Sequence, residues 1–129
     1  MIRVLTINMV LLAAPLLAHH SFAAEYDEKK PITLKGVVTK VEWSNPHARF
    51  YVDVKDDKGN VTNWNLELAS PNVLMRKGWK RNSLQVGDAV EVSGSQAKDG
   101  SNMANARTVT LSDGRKVFAG SSGDGGPQQ

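Results

Sequence analysis

Cysteine is absent from the 129 residues of this chain, and aromatic residues are scarce, at 6%. Without cysteine the chain has no disulfides, no Cys-ligated zinc site, no iron–sulfur cluster and no thiol nucleophile. Because aromatic residues are few, a core has to rely on Val, Leu and Ile. The formal net charge is only +3, and we therefore expect no nucleic-acid partner. The length is that of a single domain.

Familiar catalytic motifs are also missing from the chain. There is no nucleophile elbow, no phosphate-binding glycine loop and no HExxH sequence. Asp56 and Asp57 fall in a predicted turn, where acidic residues are expected for local hydrogen bonding. Glu25, Asp27 and Glu28 lie in a polar N-terminal segment and are most simply solvated. We therefore expect no enzymatic activity and no catalytic residues.

The first 18 residues have the layout of a secretory signal peptide. Arg3 precedes an apolar run from Val4 to Ala14, and the small residue Ala18 offers a cleavage site. The run is shorter than the roughly 20 apolar residues of a membrane-spanning helix. Cleavage after Ala18 gives a mature chain that begins at His19, whereas cleavage after Ala23 removes two of the three histidines. We favour the first site.

Composition divides the rest of the chain into three parts. Residues 19–31 are predicted to form an N-terminal arm, because they are polar and rich in acidic residues. Residues 32–118 are predicted to form the folded domain. Residues 119–129 are rich in Gly and Ser, which predicts a disordered tail.

Alternation of apolar and polar residues predicts an all-β domain of five strands. The first strand is predicted from Ile32 to Trp43, with a bulge or bend at Gly36 where the inward face changes. Ser70 and Pro71 open a short helix between the third and fourth strands, and Gly78 ends it. A bent first strand and a helix in this place are the layout of an OB-fold β-barrel. A generic antiparallel sandwich or roll is the alternative.

The three histidines are the candidate metal ligands. A mature N-terminus at His19 combines an α-amino group with an imidazole, and both lose their protons near neutral pH when a metal ion competes. His20 adds a second imidazole, and His47 lies in the turn that borders the ligand face of an OB-fold. Nitrogen donors suit Cu(II) or Ni(II), and Met103 offers a thioether for Cu(I). The alternative is a solvated terminus and a histidine that only caps a turn.

Two tryptophans permit a second interpretation that involves no metal. Trp43 and Trp64 are predicted on neighbouring strands, and both are core residues if they point inward. If they are exposed beside His47 and Asn45, they form a stacking floor for a small ring or a sugar.

A basic segment, Arg76 to Arg81, surrounds a third tryptophan, Trp79. Such a segment can bind nucleic acid by stacking and phosphate contact, or it can dock on an anionic membrane surface. A secreted chain seldom meets nucleic acid, so the membrane surface is the better functional interpretation. The simpler interpretation is that Trp79 packs beneath the helix end and that the charges complement the helix C-terminus.

Several short motifs together resemble a family of small, secreted, functionally uncharacterised bacterial proteins. The motifs are His19 to Phe22, Gly36-Val37-Val38, Trp43 to His47, Trp64, Ser70-Pro71, Gly78-Trp79 and Val86-Gly87-Asp88. The resemblance covers roughly residues 19–118. It implies cleavage after Ala18 and a periplasmic location in a Gram-negative cell, and it implies no particular activity.

These observations together predict a periplasmic, non-enzymatic binding module that binds copper or another transition metal ion through His19, His20 and His47. The first alternative is a metal-free adaptor that binds an envelope protein, a glycan or a small molecule near Trp43 and Trp64. The second is an oxidative copper enzyme with an N-terminal histidine chelate.

Overall fold

The computed structural model describes Phe22 and residues 24–120. The elements are β1 (Tyr26–Glu42), β2 (Arg49–Lys55), β3 (Val61–Glu67), α1 (Pro71–Arg76), β4 (Ala89–Ala97), β5 (Met103–Thr110) and β6 (Lys116–Phe118). None of the helices in this part of the chain has the length and apolar character that crossing a membrane requires. The expected all-β fold, with one short helix between the third and fourth strands, is confirmed.

The strands form one sheet that closes on itself. Their order is β3-β2-β1-β4-β5-β6. β6 pairs with the second half of β5, and a parallel pairing of β3 with the first half of β5 closes the sheet into a barrel. β1 makes this possible because one half of it pairs with β4 and the other half pairs with β2. A bent first strand shared by two partners, with a helix between β3 and β4, is the OB-fold arrangement.

The change of inward face along β1 occurs at Thr39. Val38 pairs with Val52 and Lys40 pairs with Tyr51, so Thr39 is an extra residue on β1. An extra residue of this kind is a β-bulge, and it reverses which side chains point inward.

The predicted position of this change, Gly36, is therefore three residues too early. Val37, which follows it, is 46% exposed instead of buried. Gly36 has a different role, since a Cβ at this position would collide with the carbonyl oxygen of Asp53 on β2. The glycine permits close approach of two strands, which is a second common reason for glycine in a strand.

Aliphatic residues fill the barrel, as the shortage of aromatic residues predicted. The largest fully buried side chains are Phe50, Leu66, Leu68, Leu74, Val38, Val52 and Val109. Inward residues alternate with outward residues on β2 and β3, so the outward residues of both strands share the outer face of the barrel.

Helix α1 begins and ends where the sequence predicted. The Ser70 hydroxyl accepts a hydrogen bond from the Val73 N–H, Pro71 occupies the first turn, and Gly78 adopts a φ of 95° just after the helix. Trp79 is 3% exposed, and its Nε1–H donates to the Phe118 carbonyl at 3.0 Å. The indole is thus part of the core and is not available to a membrane surface.

Candidate functional site

A cluster of polar side chains lies on the outer face of β2 and β3, where OB-folds commonly bind their ligands. Trp64 and Leu66 on β3 point into the barrel, so Asn65 and Glu67 point outward. Glu67 pairs with Arg49 on β2. The chain therefore brings a carboxylate, an amide and a guanidinium together at one end of this face.

Glu67 is the centre of the cluster. Its side chain is buried, and both carboxylate oxygens have partners. The Tyr26 hydroxyl donates to Oε2, His47 donates through Nδ1 to Oε1, and Arg49 Nη2 lies 3.4 Å from Oε2. A buried carboxylate is tolerated when its charge is paired and its lone pairs accept hydrogen bonds.

These contacts set the protonation states of the cluster. Burial by itself raises the pKa of Glu67, but hydrogen bonds from His47 and Tyr26 and the charge of Arg49 outweigh it, so the pKa lies below its ordinary value. The hydrogen bond to Glu67 raises the pKa of His47, and burial together with Glu67 raises the pKa of Tyr26. Glu67 is therefore an anion at neutral pH, and the Tyr26 hydroxyl keeps its proton as a donor.

His47 occupies the turn between β1 and β2, and the backbone fixes this turn to the barrel. Its neighbour Ala48 donates through N–H to the Ala69 carbonyl at 3.1 Å and accepts from the Leu68 N–H at 2.8 Å. The His47 side chain is 39% exposed. Since Nδ1 faces Glu67, the other ring nitrogen, Nε2, lies on the opposite side of the ring from the carboxylate.

The N-terminal end of the described chain packs beside the same cluster. Phe22 and Tyr26 lie with ring centroids 5.8 Å apart, and they pack with Ala97 and the partly buried Met103. A groove of about 370 Å³ opens next to them, with Arg49, Tyr26 and Met103 in its wall. The loop between β4 and β5, residues 98–102, borders this groove through Lys98 and Asp99.

The predicted metal ligands are only partly within the described residues. His19 and His20 lie outside them. His47 is in the Glu67 cluster, and Met103 packs against Phe22 and Tyr26 beside it. Among Phe22 and residues 24–120, no group of three or more His, Cys, Asp or Glu side chains could hold a metal ion. The described side chains of these four types therefore do not by themselves form a metal site at His47.

The predicted tryptophan floor is not formed. Trp64 is 9% exposed and belongs to the barrel core, and Trp43 is partly buried against that core. The two residues are not on neighbouring strands either, because β2 lies between β1 and β3. Asn45 is exposed in the turn. Trp64 points inward because it alternates with the outward residues Asn63 and Asn65 on β3.

Sequence reasoning missed the two residues that hold His47 in place, Glu67 and Tyr26. One signal was present: Glu67 is a lone acidic residue between Leu66 and Leu68, in a run that is otherwise apolar. An acidic residue in such a run is buried only with partners. Tyr26 gave no comparable signal, because its contacts depend on how the N-terminal segment crosses the barrel.

Comparison with known proteins gives a family and a set of similar folds. The model of a family of unknown function, DUF6152, matches residues 8–106. No protein of curated function matches the sequence. Among solved structures, the mitochondrial single-stranded DNA binding protein Rim1 from S. cerevisiae is similar, with a TM-score of 0.45 and 12% identity over 64% of this chain and 93% of that chain.

A second similar structure is the dimeric N-terminal domain of the PriB protein from Thermoanaerobacter tencongensis. Its TM-score is 0.45 and its identity is 21%, over 65% of this chain and 97% of that chain.

The prediction that this chain has no nucleic-acid partner stands against this likeness, because Rim1 is a single-stranded DNA binding protein. At 12% identity and a TM-score of 0.45, the likeness concerns the fold and assigns no partner to this chain. The prediction used the low net charge of the chain and its expected secretion. A net charge does not describe each surface, because phosphate groups are contacted by the basic side chains of one face.

Proposed function

The chain belongs to the family of unknown function DUF6152, and we propose that it is a periplasmic, non-enzymatic module that binds a late transition metal ion, with Cu(II) as the preferred ion. His47 is the ligand contributed by the barrel. The remaining ligands are the α-amino group and imidazole of His19 and the imidazole of His20, in a mature chain cut after Ala18.

The observation that carries this proposal is the contact between His47 and Glu67. A metal-bound histidine usually donates its second ring N–H to a carboxylate, which fixes the tautomer and the orientation of the ring. His47 donates from Nδ1 to the buried Glu67, and its half-exposed ring leaves Nε2 for a metal ion. In the neutral imidazole Nε2 then carries the lone pair.

The position of Phe22 supports a contribution from the N-terminal histidines. Phe22 packs on Tyr26, and Tyr26 donates to the carboxylate that also holds His47. His19 is three residues from Phe22, and three residues of extended chain reach about 10 Å. We propose that this reach lets the N-terminal nitrogen donors share a metal ion with His47, and nitrogen donors favour Cu(II) over harder ions.

The proposal is tested on protein isolated from the periplasm. Intact mass measured together with metal analysis reports the N-terminus and the bound metal on the same sample. We expect a chain that begins at His19 and carries one equivalent of copper. A metal-free chain that also fails to take up copper on titration contradicts the proposal.

A matched variant tests whether the two N-terminal histidines are ligands. A mature chain that begins at Ser21 keeps His47 and Glu67 but lacks both N-terminal histidines. We expect its Cu(II) affinity to fall at least 100-fold. An unchanged affinity would exclude the N-terminal ligands.

A further inference from the structure

A basic patch lies at the end of helix α1, and we propose that it docks the chain on the surface of an anionic phospholipid membrane. From residue 68 to residue 87 the sequence has four basic residues and no acidic residue. The charges that carry the argument are those of the exposed residues Arg76, Lys80, Arg81 and Lys116. This surface is separate from the Glu67 cluster, and the proposal does not depend on a metal ion.

The backbone brings the first three of these residues to one end of the barrel, because the chain folds back directly after α1. The Trp79 N–H donates to a carbonyl of the helix at 3.0 Å. Lys80 then begins a tight turn, in which its N–H donates to the Ser83 hydroxyl at 2.8 Å and its carbonyl accepts from the Ser83 N–H at 3.0 Å. Arg76 in the last turn of α1 and Arg81 in the turn that follows therefore lie at the same end of the barrel.

Strand β6 extends the basic patch on one side. The Trp79 Nε1–H donates to the Phe118 carbonyl at 3.0 Å, and Lys77 Nζ lies 3.7 Å from the centroid of the Phe118 ring. Side chains two residues apart on a strand share a face, and Val117 packs against the core. Lys116 is thus on the same outer face as Phe118, and the basic patch continues from the helix end onto β6.

The four charges are available to a partner outside the chain. Within the part of the chain that the structure describes, none of these four side chains makes a hydrogen bond or an ion pair. The acidic residues that flank the segment have other partners: Glu67 accepts from His47, and Asp88 accepts from the Gln85 N–H at 3.0 Å. Guanidinium and ammonium groups bind phosphate oxygens, so a surface of phospholipid headgroups complements this patch.

The other side chains of the basic patch favour a lipid surface over a single-stranded nucleic acid. Single strands bind by stacking their bases on aromatic rings as well as by phosphate contact. Trp79 is only 3% exposed, and Lys77 covers the Phe118 ring. The patch instead presents Met75, which is 50% exposed and directly precedes Arg76. An apolar side chain among basic ones is typical of protein surfaces that lie in the headgroup layer of an anionic membrane.

The test is sedimentation of the whole mature chain with lipid vesicles, in a buffer that contains a chelator so that no metal ion takes part. We expect the chain to sediment with vesicles of equal parts phosphatidylglycerol and phosphatidylcholine, and to stay in solution with vesicles of phosphatidylcholine alone. Binding should be lost in about 1 M salt, where the Debye length is about 3 Å. Failure to sediment with the anionic vesicles, or equal sedimentation with both kinds, would overturn the proposal.

A double variant, Lys80→Gln with Arg81→Gln, assigns the binding to the basic patch. Each basic residue strengthens binding to an anionic surface about fivefold, so this variant should bind at least tenfold more weakly. The matched control, Lys55→Gln with Lys58→Gln, removes the same charge from exposed residues at the hairpin between β2 and β3. The length of β3, about 20 Å, separates that hairpin from α1. Equal binding by the two double variants would refute the assignment.

A single-stranded oligothymidine, titrated in the same buffer and followed by fluorescence anisotropy, examines the competing polyanion. We expect its affinity to be the same for the mature chain and for the Lys80→Gln, Arg81→Gln variant. Oligothymidine binding that this variant weakens tenfold, together with no sedimentation on anionic vesicles, would overturn the proposal in favour of a nucleic acid.

Discussion

Glu67 and Asn105 are cross-strand partners on β3 and β5. They differ in whether their side-chain oxygens have hydrogen-bond partners. The two residues are almost equally buried, at 6% and 5% exposed. Glu67 has partners on both oxygens, from Tyr26, His47 and Arg49. The Asn105 oxygen has none.

The difference indicates two consequences of burying a polar group. Glu67 has its partners within the chain, so it holds other side chains in place and orients His47. The Asn105 oxygen lacks a partner, so its burial lowers stability. Changes at these two positions should therefore have opposite effects on stability.

Glu67→Ala should have the largest effect. It leaves the buried Tyr26 hydroxyl without its acceptor and removes the charge partner of the partly exposed Arg49. The loss should lie toward the lower end of the range of about 3–5 kcal/mol that breaking a buried charged network costs. Urea unfolding followed by tryptophan fluorescence measures the loss. The control is Glu91→Ala, which removes the ion pair of Glu91 with the exposed Lys35 and should cause no measurable change. Equal unfolding midpoints for the two variants would contradict the role of Glu67.

Tyr26→Phe should have the next largest effect. It keeps the ring that packs on Phe22 and removes only the donor to Glu67, and a hydrogen bond to a charged group contributes about 1.5–3 kcal/mol. Tyr51→Phe on the outer face of β2 is the matched control, and thermal unfolding compares them. A Tyr26→Phe chain as stable as the control would show that the hydroxyl does not stabilise the cluster.

Gly94→Ala tests how closely β4 approaches Asn105. A Cβ at this position would overlap the Asn105 carbonyl oxygen, which is backbone and has little freedom to move. Overpacking of this kind costs about 1–3 kcal/mol. Ser95→Ala, one residue further on, should have little effect. If both variants unfold at the same urea concentration, β5 has room to move away.

Asn105→Leu should have the smallest effect on stability, and in the opposite direction. Leucine has the same branching and number of side-chain atoms, and loss of an unpaired acceptor is neutral or stabilising. Asn65→Leu is the counterpart, because Asn65 Oδ1 accepts from Arg49 at 3.2 Å, and it should cost about 0.5–1.5 kcal/mol. If both substitutions lower stability by a similar amount, the Asn105 side-chain oxygen must have a hydrogen-bond partner.

Local sequence signals were sufficient for most of the fold. Alternation identified the strands, and Ser70, Pro71 and Gly78 located the helix, because these signals depend on neighbouring residues alone. The sequence analysis placed the bulge at Gly36, whereas the structure has it at Thr39. Glycine misled the prediction because it is favoured both at a bulge and where two strands approach closely. The start of β1 at Tyr26 was missed, since its pairing with Ala97 depends on contacts far away in the sequence.

The candidate site was less predictable for the same reason. His47 was identified from its place in a turn beside an OB-fold face, but its partner Glu67 is 20 residues away. The lack of a partner at Asn105 depends on the three-dimensional contacts of β1, β4 and β5. No property of the local sequence around Asn105 reports it.

The most direct test of the central claim, that Glu67 orients His47 toward a metal ion, is a chelator-competition titration of Cu(II) with the mature chain and with its Glu67→Gln and His47→Ala variants. Loss of a group that hydrogen-bonds a metal ligand typically weakens metal binding 10–100-fold. We therefore expect Glu67→Gln to lower the Cu(II) affinity by a factor in that range and His47→Ala to lower it further. Asn45→Ala, in the same turn, should leave the affinity unchanged. Equal Cu(II) affinity of the mature chain and His47→Ala would contradict the account.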